Sequence, residues 1–431
     1  MFDYICSCAV ECGCRVVTDN RAVKGGEMFF GIKGENCDGS DYAEAALKAG
    51  AKYAVINRGS KCAGISGTIE VEDTLETLKQ LGIWNRKRFG VPVVGLTGTN
   101  GKTTTKNLIS VVLAKKFKVS ATEGNLNNDI GVPLSILKIV PDETEMAVIE
   151  MGANHPDDIA KLVKVSQPDY GLITNVGKAH LLGFGSFEGV KKAKGELYKW
   201  LGAHPGSLIF LNADDADLRE MSNGLPCHFF EYGVNYQGAE ILPSTPENPF
   251  LRIRLGEDVI STSLVGAYNA TNVLAAIAVG EYFGVSRADA IAAVESFVPT
   301  NNRSQMTRTE KNTLIVDAYN ANPSSMAAAL DNFRTVEAAR KVALLGDMRE
   351  LGEDSVAEHV KVVRKLAEMG IEAFLVGDEF RKALDAEGAA FKWFESSEAL
   401  AAFLSGDALK DAVILIKGSR GIQMEKVLPA L

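Results

Sequence analysis

The sequence predicts an α/β protein of three domains. At 431 residues, the chain is too long for a single hydrophobic core. From Val91 onward, short apolar strands alternate with helical stretches, which is the pattern of a parallel sheet with crossover helices. After residue 299, four strands of similar design recur between helices. We therefore predict a small N-terminal α/β domain (1–88), a central P-loop domain with a mostly parallel sheet (89–298) and a C-terminal Rossmann-like domain (299–431).

Composition limits the class of protein. Hydrophobic residues make up 46% of the chain and charged residues 23%, as in ordinary globular proteins. The formal charge of −9 argues against a general nucleic-acid binder, which would carry a basic face. No apolar run reaches the length of a membrane span, and Met1–Tyr4 does not begin a signal peptide. We expect a cytoplasmic protein without stable membrane insertion.

Four of the seven cysteines, Cys6, Cys8, Cys12 and Cys14, are crowded at the start of the chain. A metal or cluster site is one interpretation of this crowding. Zinc knuckles, however, usually space their cysteines by two or more residues and recruit a distant second pair. Reduced, partly buried thiols in a cytoplasmic protein are the favoured interpretation.

The first domain is predicted from short apolar segments bounded by glycines and polar loops. Glycines flank a strand at Met28–Ile32, and a polar loop follows it. A helix over Tyr42–Ala49 and a strand at Tyr53–Ile56 complete a small α/β unit. The helix Leu75–Arg88 leads from this unit into the central domain.

A glycine-rich loop, TGTNGKTT at Thr97–Thr104, opens the central domain. It lies between a β-branched strand, Val91–Leu96, and a helix over Lys106–Leu113, and this context favours a phosphate-binding loop. Glycines let backbone N–H groups approach phosphate oxygens. Lys102 would reach the phosphates, and the Thr103 hydroxyl would lie on Mg²⁺. The glycines are displaced from the general pattern G-x-x-x-x-G-K-[ST], and the alternative is a glycine-rich turn with a surface lysine.

Polar residues at strand ends are further candidates, because open α/β sheets bind ligands at the carboxyl ends of their strands. Glu150 is a natural Mg²⁺ ligand beside a phosphate loop, and the alternative is a carboxylate that caps the helix Asp157–Val163. His180 follows the next strand end and is either a second metal ligand or a structural histidine. The predicted strands are Val119–Ala121, Met146–Glu150 and Tyr170–Asn175.

A helical stretch at Val190–Tyr198 carries three lysines. A solvated basic face is the simplest interpretation. The alternative is that one lysine, in Ala193–Lys194, points inward among apolar neighbours. A buried lysine tends to lose its proton, which would open it to modification.

The remaining strands complete the second and third domains. Leu251–Leu264 alternates like antiparallel strands, and Val273–Val279 is an apolar helix that returns to the core. None of the C-terminal strands carries G-x-G-x-x-G, so the sequence does not predict a dinucleotide site. These strands are predicted at Leu314–Asp317, Val342–Asp347, Ala373–Asp378 and Val413–Gly418.

Taken together, these motifs resemble those of the Mur ligases, the ATP-dependent amide-forming enzymes of peptidoglycan precursor synthesis. The resemblance covers essentially the whole chain, and the later blocks resemble the branch of the family that adds D-Ala-D-Ala. The blocks that carry it are TGTNGKTT (Thr97–Thr104), NLNNDIGVP (Asn125–Pro133), EMGANH (Glu150–His155), AHLLGFGSFEGVKKAKGE (Ala179–Glu196), DAYNANPSSM (Asp317–Met326) and LGDMRELG (Leu345–Gly352).

The resemblance implies a site for ATP and Mg²⁺. Lys194 matches the lysine that Mur ligases carbamylate with CO₂, Arg303 the arginine that reaches the γ-phosphate, and Asp317 the acid near the ribose and phosphates. The implied catalytic residues are Lys102, Lys194, His180 and Arg303. The implied nucleotide-binding residues are Gly98, Thr99, Asn100, Gly101, Lys102, Thr103, Thr104, Asn269, Asn272, Arg303 and Asp317, and the implied metal ligands are Thr103, Glu150, His180 and Lys194. The implied substrate-binding residues are Asn20, Arg21, Lys33, Asn127, Asn128, Tyr319, Asn320 and Asn322.

The resemblance also implies a reaction. The terminal carboxylate of a UDP-MurNAc-tripeptide attacks the γ-phosphate of ATP, and the amine of D-Ala-D-Ala then attacks the acyl phosphate. The first domain would bind the UDP-linked substrate, and we expect a monomer. The alternatives are a Mur-type ligase for another amino acid, a folylpolyglutamate synthetase, a P-loop motor or switch, and a catalytically silent binding protein.

Overall fold

The N-terminal domain contains a small parallel sheet. The computed structural model, which describes residues 1–245, 248–299, 303–406 and 409–431, orders its four strands β1-β2-β3-β4. The predicted strand at Met28–Ile32 and helix at Tyr42–Ala49 are both present and slightly shorter. The elements are α1 (Phe2–Glu11), β1 (Val16–Val17), β2 (Met28–Phe30), α2 (Ala43–Lys48), β3 (Tyr53–Asn57), β4 (Thr68–Val71) and α3 (Thr74–Arg88).

Helix α1, which the sequence did not predict, begins the chain and carries two of the crowded cysteines. Cys6 and Cys8 on α1, and Cys12 just after it, are buried in the same apolar cluster as Phe30 and Leu78. Burial raises the pKa of the Cys6 and Cys12 thiols to about 11, so both are protonated at neutral pH. Within the described residues, no three His, Cys, Asp or Glu side chains converge on a metal position. These free thiols contribute to the core instead.

The central domain contains a six-stranded, fully parallel sheet in the order β10-β9-β8-β5-β7-β6. The strand that precedes the glycine-rich loop, β5, therefore lies in the middle of the sheet between β7 and β8. Its strands are β5 (Val93–Thr97), β6 (Val119–Ala121), β7 (Met146–Glu150), β8 (Tyr170–Ile173), β9 (Leu208–Asn212) and β10 (His228–Tyr232).

Helices cover both faces of this sheet, as a parallel sheet requires. Successive residues of β5 point to opposite faces, so that Val94 and Leu96 join one apolar cluster and Val93 joins the other. The helices are α4 (Lys102–Leu113), α5 (Gly131–Leu137), α6 (Asp158–Ser166), α7 (Leu181–Phe184), α8 (Phe187–Lys194), α9 (Glu196–Ala203), α10 (Ala216–Ser222), α11 (Ala270–Tyr282) and α12 (Arg287–Ser296).

The antiparallel segment predicted before α11 is confirmed as a three-stranded sheet in the order β11-β12-β13. It packs on the same apolar cluster as α11, through Ile253 and Ile260. Its strands are β11 (Glu240–Leu242), β12 (Arg252–Leu255) and β13 (Asp258–Ser261).

The third domain contains a six-stranded sheet in the order β14-β15-β19-β16-β17-β18. All strands are parallel except β14, which runs antiparallel to β15 at the edge. The four predicted strands are present as β15, β16, β17 and β19. The elements are β14 (Gln305–Arg308), β15 (Asn312–Asp317), α13 (Pro323–Thr335), β16 (Lys341–Gly346), α14 (Ser355–Met369), β17 (Glu372–Val376), α15 (Asp378–Glu387), β18 (Lys392–Phe394), α16 (Ser397–Gly406) and β19 (Ala412–Lys417).

Three local differences from the sequence prediction have physical causes. The predicted helix at Val190–Tyr198 is interrupted by a turn at Gly195, between α8 and α9. Helix α4 starts at Lys102 rather than at Lys106, because Gly101 takes a left-handed conformation that ends the loop directly before Lys102. Strand β8 ends at Ile173, because the next two residues turn toward the glycine-rich loop.

Helix α3 joins the first domain to the second. Its buried Asn85 donates hydrogen bonds to the carbonyl oxygens of Ile136 and Ile139, both at 3.0 Å, near the C-terminal end of α5. Its buried Arg86 donates to the carboxylate of Asp169 at 2.8 Å, and the same carboxylate accepts the Val93 N–H. The first domain is therefore fixed to the start of the central sheet. The exact domain boundaries stay predictions. None of the described helices is long and apolar enough to span a bilayer.

We expect Asn85→Ala to lower the free energy of unfolding by roughly 2–3 kcal/mol, because two buried hydrogen bonds are lost. Equilibrium urea unfolding at pH 7 measures this change. Lys87→Ala, at an exposed position on the same helix, is the matched control and should stay within about 0.5 kcal/mol of the parent chain. Equal stability of the two variants would contradict the assigned role of Asn85.

Candidate functional site

A cavity of about 650 Å³ lies at the carboxyl ends of the central strands, where the third domain covers them. The residues that follow β5, β7 and β8 all reach this cavity, as the parallel sheet predicts. Most of the predicted site residues line it. They are Thr99, Asn100, Gly101, Lys102, Thr103, Thr104, Asn127, Asn128, Glu150, His180, Asn269, Asn272, Arg303, Asp317, Tyr319, Asn320 and Asn322.

The glycine-rich loop is held in place by the residues that follow β8. The Thr99 N–H donates to the Asn175 carbonyl at 3.0 Å, and the Asn100 N–H donates to the Asn175 side-chain oxygen at 3.0 Å. In return, the Thr174 hydroxyl and the Asn175 amide donate to the Asn100 carbonyl, at 2.6 and 3.0 Å. The first N–H groups of α4, from Lys102 onward, have no acceptor within the helix. They are the donors that the loop can offer to an anion.

Close packing requires two glycines of the loop. A Cβ at Gly98 would overlap the Thr174 hydroxyl. Gly101 has a φ of +77°, and a Cβ there would lie 2.7 Å from Oδ1 of Asn272. These two contacts account for glycines at 98 and 101 in place of the general spacing. Gly98 itself lies behind the residues that line the cavity.

Lys102 lies folded over its own loop. Its Nζ donates to the carbonyl oxygens of Gly98 at 2.8 Å and Thr99 at 3.1 Å. Burial lowers the pKa of Lys102, with a further lowering from Arg303 that the Glu150 carboxylate opposes. The ammonium group is therefore poorly solvated and can exchange its carbonyl partners for phosphate oxygens. The surface-lysine alternative does not describe this position.

Glu150 has the geometry of a cation ligand. Its side chain is almost completely buried, and its Oε1 accepts the Asn127 amide at 2.8 Å and the Thr103 hydroxyl at 3.2 Å. Its Oε2 is buried without a hydrogen-bond partner among the described residues. A buried carboxylate oxygen of this kind is unfavourable unless a cation satisfies it. Because Thr103 places a second hard oxygen beside it, these donors fit Mg²⁺. Among the described hydrogen bonds, Glu150 does not cap helix α6, which was the alternative role predicted for it.

His180 lies on the wall of the same cavity and contacts the third domain. Its Nδ1 pairs with the carboxylate of Glu350, and this contact lowers the pKa of Glu350. The Leu182 N–H donates to the Glu350 carbonyl at 3.2 Å. The role of His180 as a metal ligand stays a prediction, with a structural histidine as the alternative. Glu350 lies in a block that carried the family resemblance, but its contact with His180 spans 170 residues and was not predicted.

Lys194 is buried in α8 and does not line the cavity. It is 2% exposed, and its Nζ lies 5.9 Å from the centre of the Phe184 ring. Burial lowers its pKa well below the usual lysine value, and the charge of Lys102 lowers it further. The neighbouring Lys192 is exposed, and Lys191 pairs with acidic side chains. The solvated-face interpretation is therefore wrong for Lys194, which points inward.

The third domain contributes an arginine, an aspartate and a lysine to the cavity. The Arg303 guanidinium lies 3.5 Å from the centre of the Tyr319 ring. Asp317 accepts a hydrogen bond at 2.6 Å from the buried Nζ of Lys417. The sequence analysis did not identify Lys417 as a site residue. Lys417 ends an apolar strand, so the rule that ligands bind at the carboxyl ends of strands, which identified Glu150, could have found it.

Two asparagines of the DAYNANPSSM block, Asn320 and Asn322, form hydrogen bonds within the protein. Asn322 accepts the Ser325 N–H at 2.9 Å, which caps α13, and its amide donates to the Asn100 side chain at 2.8 Å. Asn320 accepts the Ala321 N–H at 2.9 Å through its side-chain oxygen. Asn322 thus ties the third domain to the glycine-rich loop, and substrate contacts for both residues stay predictions.

Two of the predicted nucleotide-binding residues, Asn269 and Asn272, form a chain of hydrogen bonds under the loop. The Asn269 amide donates to the Val265 carbonyl at 2.8 Å, and the Asn272 amide donates to Asn269 Oδ1 at 2.9 Å. Asn272 Oδ1 accepts the Thr105 hydroxyl at 3.0 Å, which connects this segment to α4. Both asparagines line the cavity, and their contact with the nucleotide stays a prediction.

The first-domain candidates lie away from this cavity. Arg21 is exposed and pairs with Asp19 at 2.7 Å, and Asn20 lies between them in a short 3₁₀ helix. Lys33 forms an isolated bridge with Asp38. The structure does not bring these residues together with the glycine-rich loop, and their substrate contacts stay predictions.

Comparison with known proteins gives the class of this chain. Family models match the Mur ligase catalytic domain over residues 15–88, the Mur ligase middle domain over residues 96–280 and the Mur ligase glutamate ligase domain over residues 302–420. The chain belongs to the Mur ligase family. It is 33% identical to the UDP-N-acetylmuramoyl-tripeptide–D-alanyl-D-alanine ligase of Bacillus subtilis, over 96% of this chain and 92% of that protein.

Two solved structures share the complete fold. MurF from Acinetobacter baumannii superimposes with a TM-score of 0.85 at 31% identity, over 96% of this chain and 92% of that one. MurF ligase from Thermotoga maritima, in complex with ADP, superimposes with a TM-score of 0.81 at 27% identity, over 96% of both chains. The fold class and the family predicted from the sequence are thereby confirmed.

We expect Lys194→Met to stabilise the protein by roughly 1–3 kcal/mol at pH 7 in CO₂-depleted buffer, because it removes a buried, unpaired amine. The pKa of Lys194 is lower in the folded than in the unfolded chain. The unfolded state therefore binds more protons between the two pKa values, and stability rises with pH across that window. The advantage of Lys194→Met should shrink as the pH approaches 10.

Denaturant unfolding at several pH values measures this difference. Lys192→Met, at an exposed position of the same helix, is the control and should shift stability by no more than about 0.5 kcal/mol at each pH. A Lys194→Met variant with parent-like stability throughout would refute the burial argument.

Proposed function

We propose that this chain is an ATP-dependent ligase that joins D-Ala-D-Ala to UDP-N-acetylmuramoyl-tripeptide in peptidoglycan precursor synthesis. The observation that carries the proposal is the cavity in which a phosphate-type loop, a buried carboxylate with an unpartnered oxygen and the third domain's Arg303 meet. The relatives named for this reaction match the chain over nearly its full length.

The first step is transfer of the γ-phosphoryl group. The terminal carboxylate of the tripeptide attacks the γ-phosphorus, the bond to ADP breaks, and an acyl phosphate forms. Lys102 and the N–H groups at the start of α4 bind the phosphates, and Arg303 approaches from the third domain. These groups stabilise charge that builds up in the transition state.

Magnesium ions are the proposed metal, with Glu150 and Thr103 as ligands and His180 as a further one. When bound, Mg²⁺ neutralises phosphate charge and orients the phosphate oxygens. The support from the structure is the unpartnered Oε2 of Glu150 and the hydroxyl of Thr103 next to Oε1.

In the second step, the amine of D-Ala-D-Ala attacks the acyl carbonyl, loses a proton, and phosphate leaves. We place the dipeptide at Tyr319, Asn320 and Asn322, on the third-domain wall. The uridine end of the other substrate extends toward Asn20, Arg21 and Lys33 in the first domain. Asn127 and Asn128 line the same cavity and are proposed to contact the peptide part of this substrate. The reaction is proposed to take place in the cytoplasm, where ATP is available, and in a monomer.

Lys194 is proposed to carry a carbamate. A neutral ε-amine attacks CO₂, a C–N bond forms, and one proton is released, which converts the neutral amine into an anionic, carboxylate-like carbamate. The support is the burial of Lys194, which favours the neutral amine that this addition requires.

The alternative activities make different demands on substrates. A Mur-type ligase for another amino acid, or a folylpolyglutamate synthetase, would release phosphate with a different amine or acceptor. A P-loop motor or switch would hydrolyse ATP without either peptide substrate, and a silent binding protein would not release phosphate.

We expect phosphate release from ATP only when UDP-MurNAc-tripeptide and D-Ala-D-Ala are both present, since the acyl phosphate is consumed by the amine. A panel of UDP-linked tripeptides, with diaminopimelate or lysine at position three, is paired with D-Ala-D-Ala, D-Ala and L-Ala. Phosphate is measured by a coupled assay, and the product by mass spectrometry. Phosphate release that is independent of the amine would contradict the ligase proposal.

We expect Lys102→Ala to reduce kcat by at least about 10²-fold, because it removes a charge that contacts the transferring phosphate. Phosphate release with both substrates measures this loss. Lys115→Ala, at the far end of the same helical segment and exposed, is the matched control and should retain parent activity. Unchanged turnover in Lys102→Ala would refute the phosphate-binding role of the loop.

A further inference from the structure

The segment that carries His180 is attached to the third domain at three points. The Nδ1 of His180 pairs with the Glu350 carboxylate, and the Leu182 N–H donates to the Glu350 carbonyl at 3.2 Å. Two residues before His180, the Nζ of Lys178 pairs with the buried Glu358 at 3.1 Å. One turn of the central domain is thus held by side-chain and backbone groups of a different domain.

The third-domain side of this contact is rigid. The Met348 N–H donates to Nε2 of His359 at 3.0 Å, and His359 is completely buried. The Arg349 N–H donates to the Ser419 hydroxyl at 2.8 Å. The two residues that lead to Glu350 are therefore bonded to their own domain, which places the Glu350 backbone next to His180.

His180 has two ring nitrogens, and the Glu350 carboxylate lies in close contact with one of them, Nδ1, although the two groups are not aligned as a hydrogen bond. Because His180 also lines the cavity, Nε2 is the nitrogen that is left for a ligand there. Metal-binding histidines commonly donate their second N–H to a carboxylate, which fixes the tautomer and the orientation of the ring. Glu350 lies on the side of the His180 ring where such a carboxylate would be, and a small rotation of the ring would align the N–H with it.

From these contacts we infer that Glu350 is a positioning residue that orients His180 for the metal in the cavity, and that it does so only when the third domain is docked. The inference rests on the proposed function. Docking of the third domain then completes two features at once, since it brings Arg303 to the cavity and aligns His180.

The test measures metal binding directly, without turnover. Mn²⁺ is titrated into the full-length chain with ADP, and free Mn²⁺ is read by electron paramagnetic resonance. We expect Glu350→Ala to weaken Mn²⁺ binding about tenfold, the lower end of the effect of losing such a carboxylate. Glu350→Gln, which keeps an acceptor without the charge, should fall between Glu350→Ala and the parent. ADP binding without metal should stay unchanged in both variants.

Two control variants separate positioning from simple attachment. Glu353→Ala, exposed in the same loop, should bind Mn²⁺ as the parent does. Lys178→Ala removes an attachment point without touching His180, and small-angle X-ray scattering reports whether the domains remain docked. We expect Lys178→Ala to retain Mn²⁺ affinity in the molecules that are docked.

Several outcomes would overturn the inference. Parent-like Mn²⁺ affinity in Glu350→Ala would do so, as would equal losses in Glu350→Ala and Lys178→Ala with the domains docked in both. If Glu350→Ala does not fold, as judged by circular dichroism, Glu350→Gln decides the question. A parent chain that releases phosphate with both substrates while Glu350→Ala binds Mn²⁺ normally would refute this inference alone. A parent chain that fails to release phosphate would refute the proposed function.

Discussion

The exchange of hydrogen bonds between the glycine-rich loop and the residues after β8 determines the rest of the site. Thr174 and Asn175 bond the backbone of Thr99 and Asn100, and Gly98 has no room for a side chain beside them. This exchange is possible because β5 and β8 are adjacent parallel strands, so their carboxyl ends leave the sheet at the same edge. The conformation of the loop is therefore held by hydrogen bonds within the protein itself.

The charge of the cavity differs from that of the whole chain. The protein carries a formal charge of −9, yet the lining of this cavity is balanced. It holds four basic residues, Lys102, Lys161, Arg303 and Lys417, and four acidic ones, Asp129, Glu150, Asp158 and Asp317. Burial lowers the pKa of Lys102 and of Lys106, which donates to the Thr122 carbonyl from below the loop. Cations that have already lost part of their hydration interact strongly with an anionic ligand, because less water must be displaced. In the cavity, basic residues are thus not outnumbered by acidic ones, in contrast to the chain as a whole.

The sequence predicted the parts of this structure that depend on local patterns. Strand–loop–helix order identified the glycine-rich loop, and the strand-end rule placed Glu150 in the cavity. It did not predict the pairing of His180 with Glu350 or the chain of bonds through Asn272, because these contacts join residues far apart in the sequence. It also missed α1, whose cysteines suggested chemistry although they pack as small apolar residues.

The two domain interfaces of the central domain differ in their position relative to the cavity, and this difference bears on movement. The first domain is attached through the buried Asn85 and through Gly82, which packs closely on Pro133. The third domain is attached to the cavity wall by polar pairs such as Asn322 with Asn100 and Glu358 with Lys178. The contacts of the third domain lie at the cavity, whereas the contacts of Asn85 and Arg86 lie at the start of the central sheet, away from it. Because the third domain supplies Arg303 and Asp317, its docking and release would open and close the reaction site while the first domain stays fixed.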